Sequence, residues 1–118
     1  MNIPAVQKYC LSFPGATEGI KWENDLVFMI GGKMFAAVAL HESEKGRLSC
    51  KCTPEEFAQL IEREGIIPAP YAAKNHWVGV VDHQALTQAE IKRLLRDAYE
   101  LILAKLPKKF QASLKERD

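Results

Sequence analysis

The chain has 118 residues, of which 47% are hydrophobic and 26% charged, and its formal net charge is +1. This composition excludes an intrinsically disordered chain and predicts one globular domain over residues 1–118. The 16 basic and 15 acidic side chains nearly balance. A globally basic protein is therefore excluded, and any surface that binds nucleic acid must be a local patch.

The sequence predicts a cytoplasmic protein without a membrane partner. No basic segment followed by an apolar one stands at the amino terminus, so we expect no signal peptide. The longest unbroken apolar run, residues 34–40, is far shorter than the roughly 20 residues of a spanning helix. The three cysteines are an odd number, which favours a reducing compartment over a disulfide framework.

The amino-terminal half predicts one helix followed by a hairpin. Asn2 is expected to cap a helix that ends at Pro14. A short strand is predicted at 20–22, and two apolar strands at 26–30 and 33–40. Gly31 and Gly32 separate the apolar strands, and two glycines in this position indicate a two-residue hairpin turn because both accept positive φ.

The carboxy-terminal half alternates between strands and helices. Residues 47–52 alternate in polarity and predict a strand with one solvent-exposed face. Residues 77–81 predict a last strand. Thr53 and Thr87 each begin a capping box, the second opening a long helix at 88–106. The stretch 65–71 is predicted to be neither helix nor central strand, because Pro68 and Pro70 lack an N–H donor.

These elements predict an α+β fold in which helices pack on one face of an antiparallel sheet. The long helix is expected to lie across the sheet. Seven side chains are expected to be buried between the two layers: Phe28, Met34, Ala36, Val38, Leu94, Leu101 and Ile102.

The sequence contains no catalytic, cofactor or metal signature. Cys50 and Cys52 share a strand face with Leu48, so that face points into the core. We expect Cys10, Cys50 and Cys52 to be buried free thiols that bind no metal, since no second cysteine pair or spaced histidines follow. The histidines near strand ends have no flanking motif that indicates catalysis.

Two groups of residues are candidates for binding. One is an aromatic cleft around the proline-rich stretch, formed by Trp22, Pro70, Tyr71, His76 and Trp77; these side chains either grip a small ligand or peptide or lock the loop onto the sheet. The other is basic and consists of Lys33, Lys51, Lys108 and Lys109 as phosphate contacts. The sequence leaves open whether the last two lysines adjoin the first two.

Five short runs occur in a fixed order along the chain. They are Phe-Pro-Gly-Ala at 13–16, Gly-Gly-Lys-Met-Phe-Ala at 31–36, Gly-Ile-Ile-Pro-Ala-Pro-Tyr at 65–71, His-Trp-Val at 76–78 and Lys-Leu-Pro-Lys-Lys at 105–109. Together they resemble the MmcQ/YjbR family over residues 9–109. The resemblance implies a YjbR/frataxin-like two-layer sandwich with a double-wing motif. It also implies a non-enzymatic DNA-binding protein without a cofactor, and the even charge balance predicts that its affinity for DNA is weak and largely independent of sequence.

Overall fold

A computed structural model describes residues 2–22, 24–41, 46–70 and 72–117 of the chain. Besides two single-turn 3-10 helices at Ala73–Asn75 and His83–Ala85, the chain forms four α-helices and six strands within these residues. In chain order they are α1 (Ile3–Leu11), β1 (Thr17–Lys21), β2 (Asp25–Ile30), β3 (Lys33–Ala39), β4 (Leu48–Lys51), α2 (Pro54–Leu60), β5 (Ile66–Pro68), β6 (Trp77–Val80), α3 (Gln88–Leu103) and α4 (Lys108–Arg117). None of the helices in this part of the chain is long and apolar enough to cross a membrane.

The strands form one antiparallel sheet in the order β1-β2-β3-β4-β6-β5. Gly31 and Gly32 make the β2–β3 turn, both with positive φ (59° and 79°), as the two-residue hairpin requires. The strand β5 was not predicted. It lies at the sheet edge and ends at Pro68, a position where the missing N–H leaves the central ladder intact.

All four helices contribute to one core on a single face of the sheet. Val6 of α1, Leu60 of α2, Leu95 of α3 and Leu114 of α4 belong to the same buried cluster. The predicted α+β class and the one-sided helix layer are confirmed. The long helix ends at Leu103 rather than at residue 106, and a further helix that the sequence did not predict begins after Pro107.

The predicted burial holds for every residue except two. Met34 is only half-buried, because the register shifts between Phe28 and Met29. This bulge turns both Phe35 and Ala36 into the core and leaves Met34 on the opposite face. Leu101 is also half-buried, since it lies near the edge of the stripe that α3 presents to the sheet.

The helix α4 closes the end of the sheet that carries Lys33 and the β2–β3 turn, called here the hairpin end. A Cβ atom at Gly31 would lie 2.7 Å from Leu106 Cδ1, and one at Gly15 would lie 2.6 Å from Leu114 Cδ2. Both glycines have positive φ. They leave the space that the two leucines fill, and they thereby position α4 against the hairpin.

Candidate functional site: a groove on the outer face of the sheet

The face of the sheet opposite the helices, called here the outer face, has a floor of mostly small side chains. One residue from each strand lies in register across it. From β1 to β5 this row is Gly19, Val27, Ala37, Ser49, Gly79 and Ile67. Four of the six side chains are no larger than a serine hydroxymethyl group. The middle of the face is therefore a depression, and larger neighbouring side chains form its walls.

A groove of about 550 Å³ crosses this floor diagonally. That volume is within the range of small-molecule sites. One end is apolar and the other is polar, and Ala37 and Ser49 lie between them. The apolar end is lined by Met34, Ala69, Pro70, Ala72 and Trp77; the polar end is lined by Trp22, Asn24, Asp25, His41 and Arg47.

Arg47 lies flat on the outer face because β6 has a glycine there. A Cβ atom at Gly79 would be 3.4 Å from Arg47 Cδ and 3.4 Å from a side-chain carbon of Ile67. The aliphatic part of Arg47 therefore covers Gly79, two residues along β6 from Trp77. The Arg47 side chain is therefore directed toward β6 rather than toward Asp25 on β2.

Trp22 has an unusual backbone for its size. Its φ angle is +50°, in the left-handed region, and 69% of the residue is exposed. A bulky side chain in this region costs about 1–2 kcal/mol. Burial of the indole offsets little of that cost.

The structure brings together three of the five residues predicted for the aromatic cleft. Trp22, Pro70 and Trp77 line the groove. His76 is not among the lining residues; its ring instead packs edge-on against Phe57, with ring centroids 5.5 Å apart. Tyr71 lies outside the described residues.

Sequence reasoning missed the polar half of the groove and its floor. No motif singled out Asn24, Asp25, His41 or Arg47, and Met34 was expected in the core. One signal was present in the sequence: the polar side of the alternating run 47–52 carries Arg47 and Ser49, which face the groove. The register that adds Ala37 and Gly79 beside them is not visible in one-dimensional sequence.

The predicted lysines all lie near the hairpin end. Lys33 follows the β2–β3 turn, and α4 begins with Lys108 and Lys109. The turn contacts α4, since a Cβ at Gly31 would be 3.4 Å from the ring of Phe110. The structure therefore places the two groups of lysines at one end of the sheet, which the sequence left open.

Lys51 has a more mixed environment than the other three. Its ammonium group donates a hydrogen bond to the carbonyl of Asn75. Partial burial lowers its pKa, and the positive charge of Lys105 lowers it further. Lys51 also borders a second cavity of about 260 Å³, whose lining includes Glu56, Asp97 and Glu100. The basic surface is thus interrupted by acidic side chains at this point.

The three cysteines are buried and free, as expected. Burial raises the pKa of the Cys10 thiol to about 12. The pKa of Cys50 is raised first by a hydrogen bond with Cys52 and then by burial. Thiols of this kind are unreactive at neutral pH. Over the described ranges, no group of three His, Cys, Asp or Glu side chains is arranged to hold a metal ion.

The fold and the groove define a two-layer α+β protein with an open groove on the outer face of its sheet. The chain belongs to the YjbR family, whose profile matches residues 11–101. It is similar in structure to the DUF419-domain protein DR2400 of Deinococcus radiodurans, with 25% identity over 97% of this chain and 88% of that one, at a TM-score of 0.86. A Pseudomonas syringae protein has the same fold at 23% identity over 86% of this chain and 98% of its own, with a TM-score of 0.70. A comparison with curated proteins found no significant match.

Proposed function

We propose that this YjbR-family protein is a non-enzymatic binding protein that holds a small organic ligand in the outer-face groove. The single observation that carries the proposal is the two-ended groove itself: an apolar end and a polar end meet over a small-residue floor. Sites for small molecules combine a mostly apolar wall with a few polar groups that fix orientation. Trp22 adds support, because a strained and exposed tryptophan at the rim has no evident structural reason to be there.

Both tryptophans of the chain, Trp22 and Trp77, line the groove. Intrinsic tryptophan fluorescence therefore reports on the groove without an added label. We would screen ring-containing fragments by ligand-observed NMR and titrate the hits by fluorescence. We expect saturable changes in tryptophan emission for the hits, because a ligand in the groove contacts or desolvates at least one indole.

Two variants separate groove binding from nonspecific adhesion. Ala37→Leu fills the floor of the groove and should abolish binding of the hits. Ile20→Ser removes an apolar side chain that is 58% exposed and does not line the groove, and it should leave their affinity unchanged. Hits whose affinity is the same in wild type and Ala37→Leu would refute the groove as the binding site.

Binding of DNA by the hairpin end is a second candidate function. It is favoured by the convergence of Lys33, Lys108 and Lys109 at one end of the sheet, where α4 packs on the β2–β3 turn. Because the overall charge is nearly balanced, affinity should be weak, largely independent of sequence and strongly dependent on salt. The acidic side chains around Lys51 make this candidate weaker than the groove.

The DNA hypothesis is tested by fluorescence anisotropy with a labelled duplex at several salt concentrations. Each phosphate contact removed should reduce the salt slope by about one, so Lys33→Ala/Lys51→Ala and Lys108→Ala/Lys109→Ala should each lower it by about two. The control Lys21→Ala/Arg93→Ala removes the same charge from other parts of the surface. Equal slopes in the control and in both lysine doubles would discard the hairpin end as a DNA site.

A further inference from the structure

We infer that the ligand class of the groove is a short zwitterionic peptide with a free amino terminus and a carboxy-terminal residue that is large and apolar. The inference rests on the proposed function, since it specifies what the same groove binds. It comes from the placement of one acidic and one basic group on opposite sides of the floor, each next to a tryptophan.

The β2 side of the groove suits a cation. Asp25 and Trp22 both line it there, three residues apart in sequence. A carboxylate and an indole that line the same groove can attract an ammonium group, the first by charge and the second by the cation–π interaction. Lys21 is the register partner of Asp25, so this carboxylate already faces one cation, and we expect a modest gain from the second.

The β6 side suits an anion with an apolar neighbour. Arg47 extends over Gly79, and Trp77 is the next outer-face residue of β6. A guanidinium group has five N–H donors in a planar fork, so it can bind a carboxylate while keeping other partners. Trp77 and Met34 line the apolar end. A carboxylate on Arg47 thus places the side chain of the same ligand residue against these apolar groups.

The distance between the two charges sets the length of the ligand. Ala39 lies between Asp25 and Arg47, paired with the first and hydrogen-bonded to the backbone of the second. Asp25 and Arg47 are therefore two strand spacings apart, which is about 10 Å. Because the Arg47 side chain extends over β6, the distance between the two charged groups can reach about 14 Å. Subtracting a hydrogen bond of about 2.8 Å at each end leaves about 4–8 Å. Two residues at up to about 3.6 Å each span this gap.

The dipeptide Gly-Phe is the probe, because its carboxylate and aromatic ring are on one residue and its ammonium group is on the other. N-acetyl-Gly-Phe lacks the ammonium charge, and Gly-Phe amide lacks the carboxylate. Each compound is titrated into wild type, Asp25→Asn and Arg47→Gln, with tryptophan emission as the readout. Both variants are checked for folding by their melting temperatures. The comparison of Gly-Phe with its two blocked derivatives on wild-type protein does not depend on the folding of any variant.

We expect Gly-Phe to bind wild type saturably, and each blocked peptide to bind about fivefold more weakly. The loss on acetylation should disappear in Asp25→Asn but persist in Arg47→Gln. The loss on amidation should disappear in Arg47→Gln but persist in Asp25→Asn. This crossed pattern assigns each ligand charge to one side chain.

Two results would overturn the inference while leaving the proposed function standing. One is no binding of Gly-Phe up to about 10 mM while fragment hits still depend on Ala37. The other is a penalty for acetylation that is the same with and without the Asp25 carboxylate. If no compound of either kind binds the groove, the proposed function fails together with the inference.

Discussion

At the scale of single residues, Trp22 contributes little to the stability of the fold although it lines the groove. Its backbone is in the left-handed region and most of its surface faces water, so the fold gains little from a tryptophan at this position. Asparagine is enriched in left-handed conformations because its short amide hydrogen-bonds locally. A residue that costs stability and lines a groove is best explained by what the groove binds.

We therefore expect Trp22→Asn to be as stable as wild type or more stable by about 0.5–1 kcal/mol, because it relieves backbone strain. The same variant should lose affinity for the fragments that bind the groove. Stability is measured by urea denaturation followed by circular dichroism, and affinity by ligand-observed NMR. A variant destabilised by more than about 1 kcal/mol would show that the indole has a structural role instead.

The glycines of the β2–β3 turn test how α4 is held. Gly31 and Gly32 both have positive φ, but a Cβ atom at Gly31 would lie 2.7 Å from Leu106 Cδ1, whereas one at Gly32 would face open space. Gly32→Ala should cost about 1 kcal/mol for backbone strain alone. Gly31→Ala should cost about 1 kcal/mol more, because the end of the Leu106 side chain must shift. Equal losses in urea denaturation would mean that Leu106, which precedes α4, does not pack on the turn.

At the scale of elements, the start of α3 is tied to the loop after α2 through Glu90. Its carboxylate accepts a hydrogen bond from the Thr87 backbone N–H at 3.0 Å and forms an ion pair with Arg63 at 3.0 Å. The first contact contributes most to lowering the pKa of Glu90, and Arg63 contributes next. The folded-state pKa is below the unfolded one, so this stabilisation is present above the unfolded pKa and is lost as pH falls through the folded value.

We expect Arg63→Gln to raise the pKa of Glu90 only part of the way to its ordinary value, because the Thr87 N–H still holds the carboxylate. Arg96→Gln is the matched control: it removes an arginine that pairs with Glu100 on the same helix and should leave Glu90 unchanged. The measurement is an NMR titration of the Glu90 carboxyl carbon. An unshifted Glu90 in Arg63→Gln would contradict the ion pair.

The elements that the sequence predicted are those with local signals. The Gly31-Gly32 turn and the capping box at Thr87 each need only a few neighbouring residues, and both are present. The strand β5 and the helix α4 lack such signals. A three-residue strand exists only because β6 lies beside it, and α4 follows a proline that was expected to end the helical region.

At the scale of the whole molecule, the sheet separates stability from binding by using its two faces differently. Helices cover one face and build the core, while the other carries the groove. The sequence could predict the core face, because apolar periodicity marks it. It predicted only the aromatic part of the groove, since the bulge at Phe35 and the register of small residues arise from how the strands pair, which no single strand encodes.

Adjacent residues on β3 allow this division to be tested. Ala36 is fully buried among the core side chains, whereas Ala37 lines the groove on the opposite face. Ala36→Leu forces three extra carbons into a packed interior and should lower the free energy of unfolding by about 1–3 kcal/mol. Ala37 is itself only 8% exposed but borders the open groove, so Ala37→Leu should lower the free energy of unfolding by less than Ala36→Leu does. The two variants have the same composition, so urea denaturation compares the faces directly. Comparable destabilisation by both would show that the outer face is packed as tightly as the core. That result would contradict a groove open enough to admit a ligand.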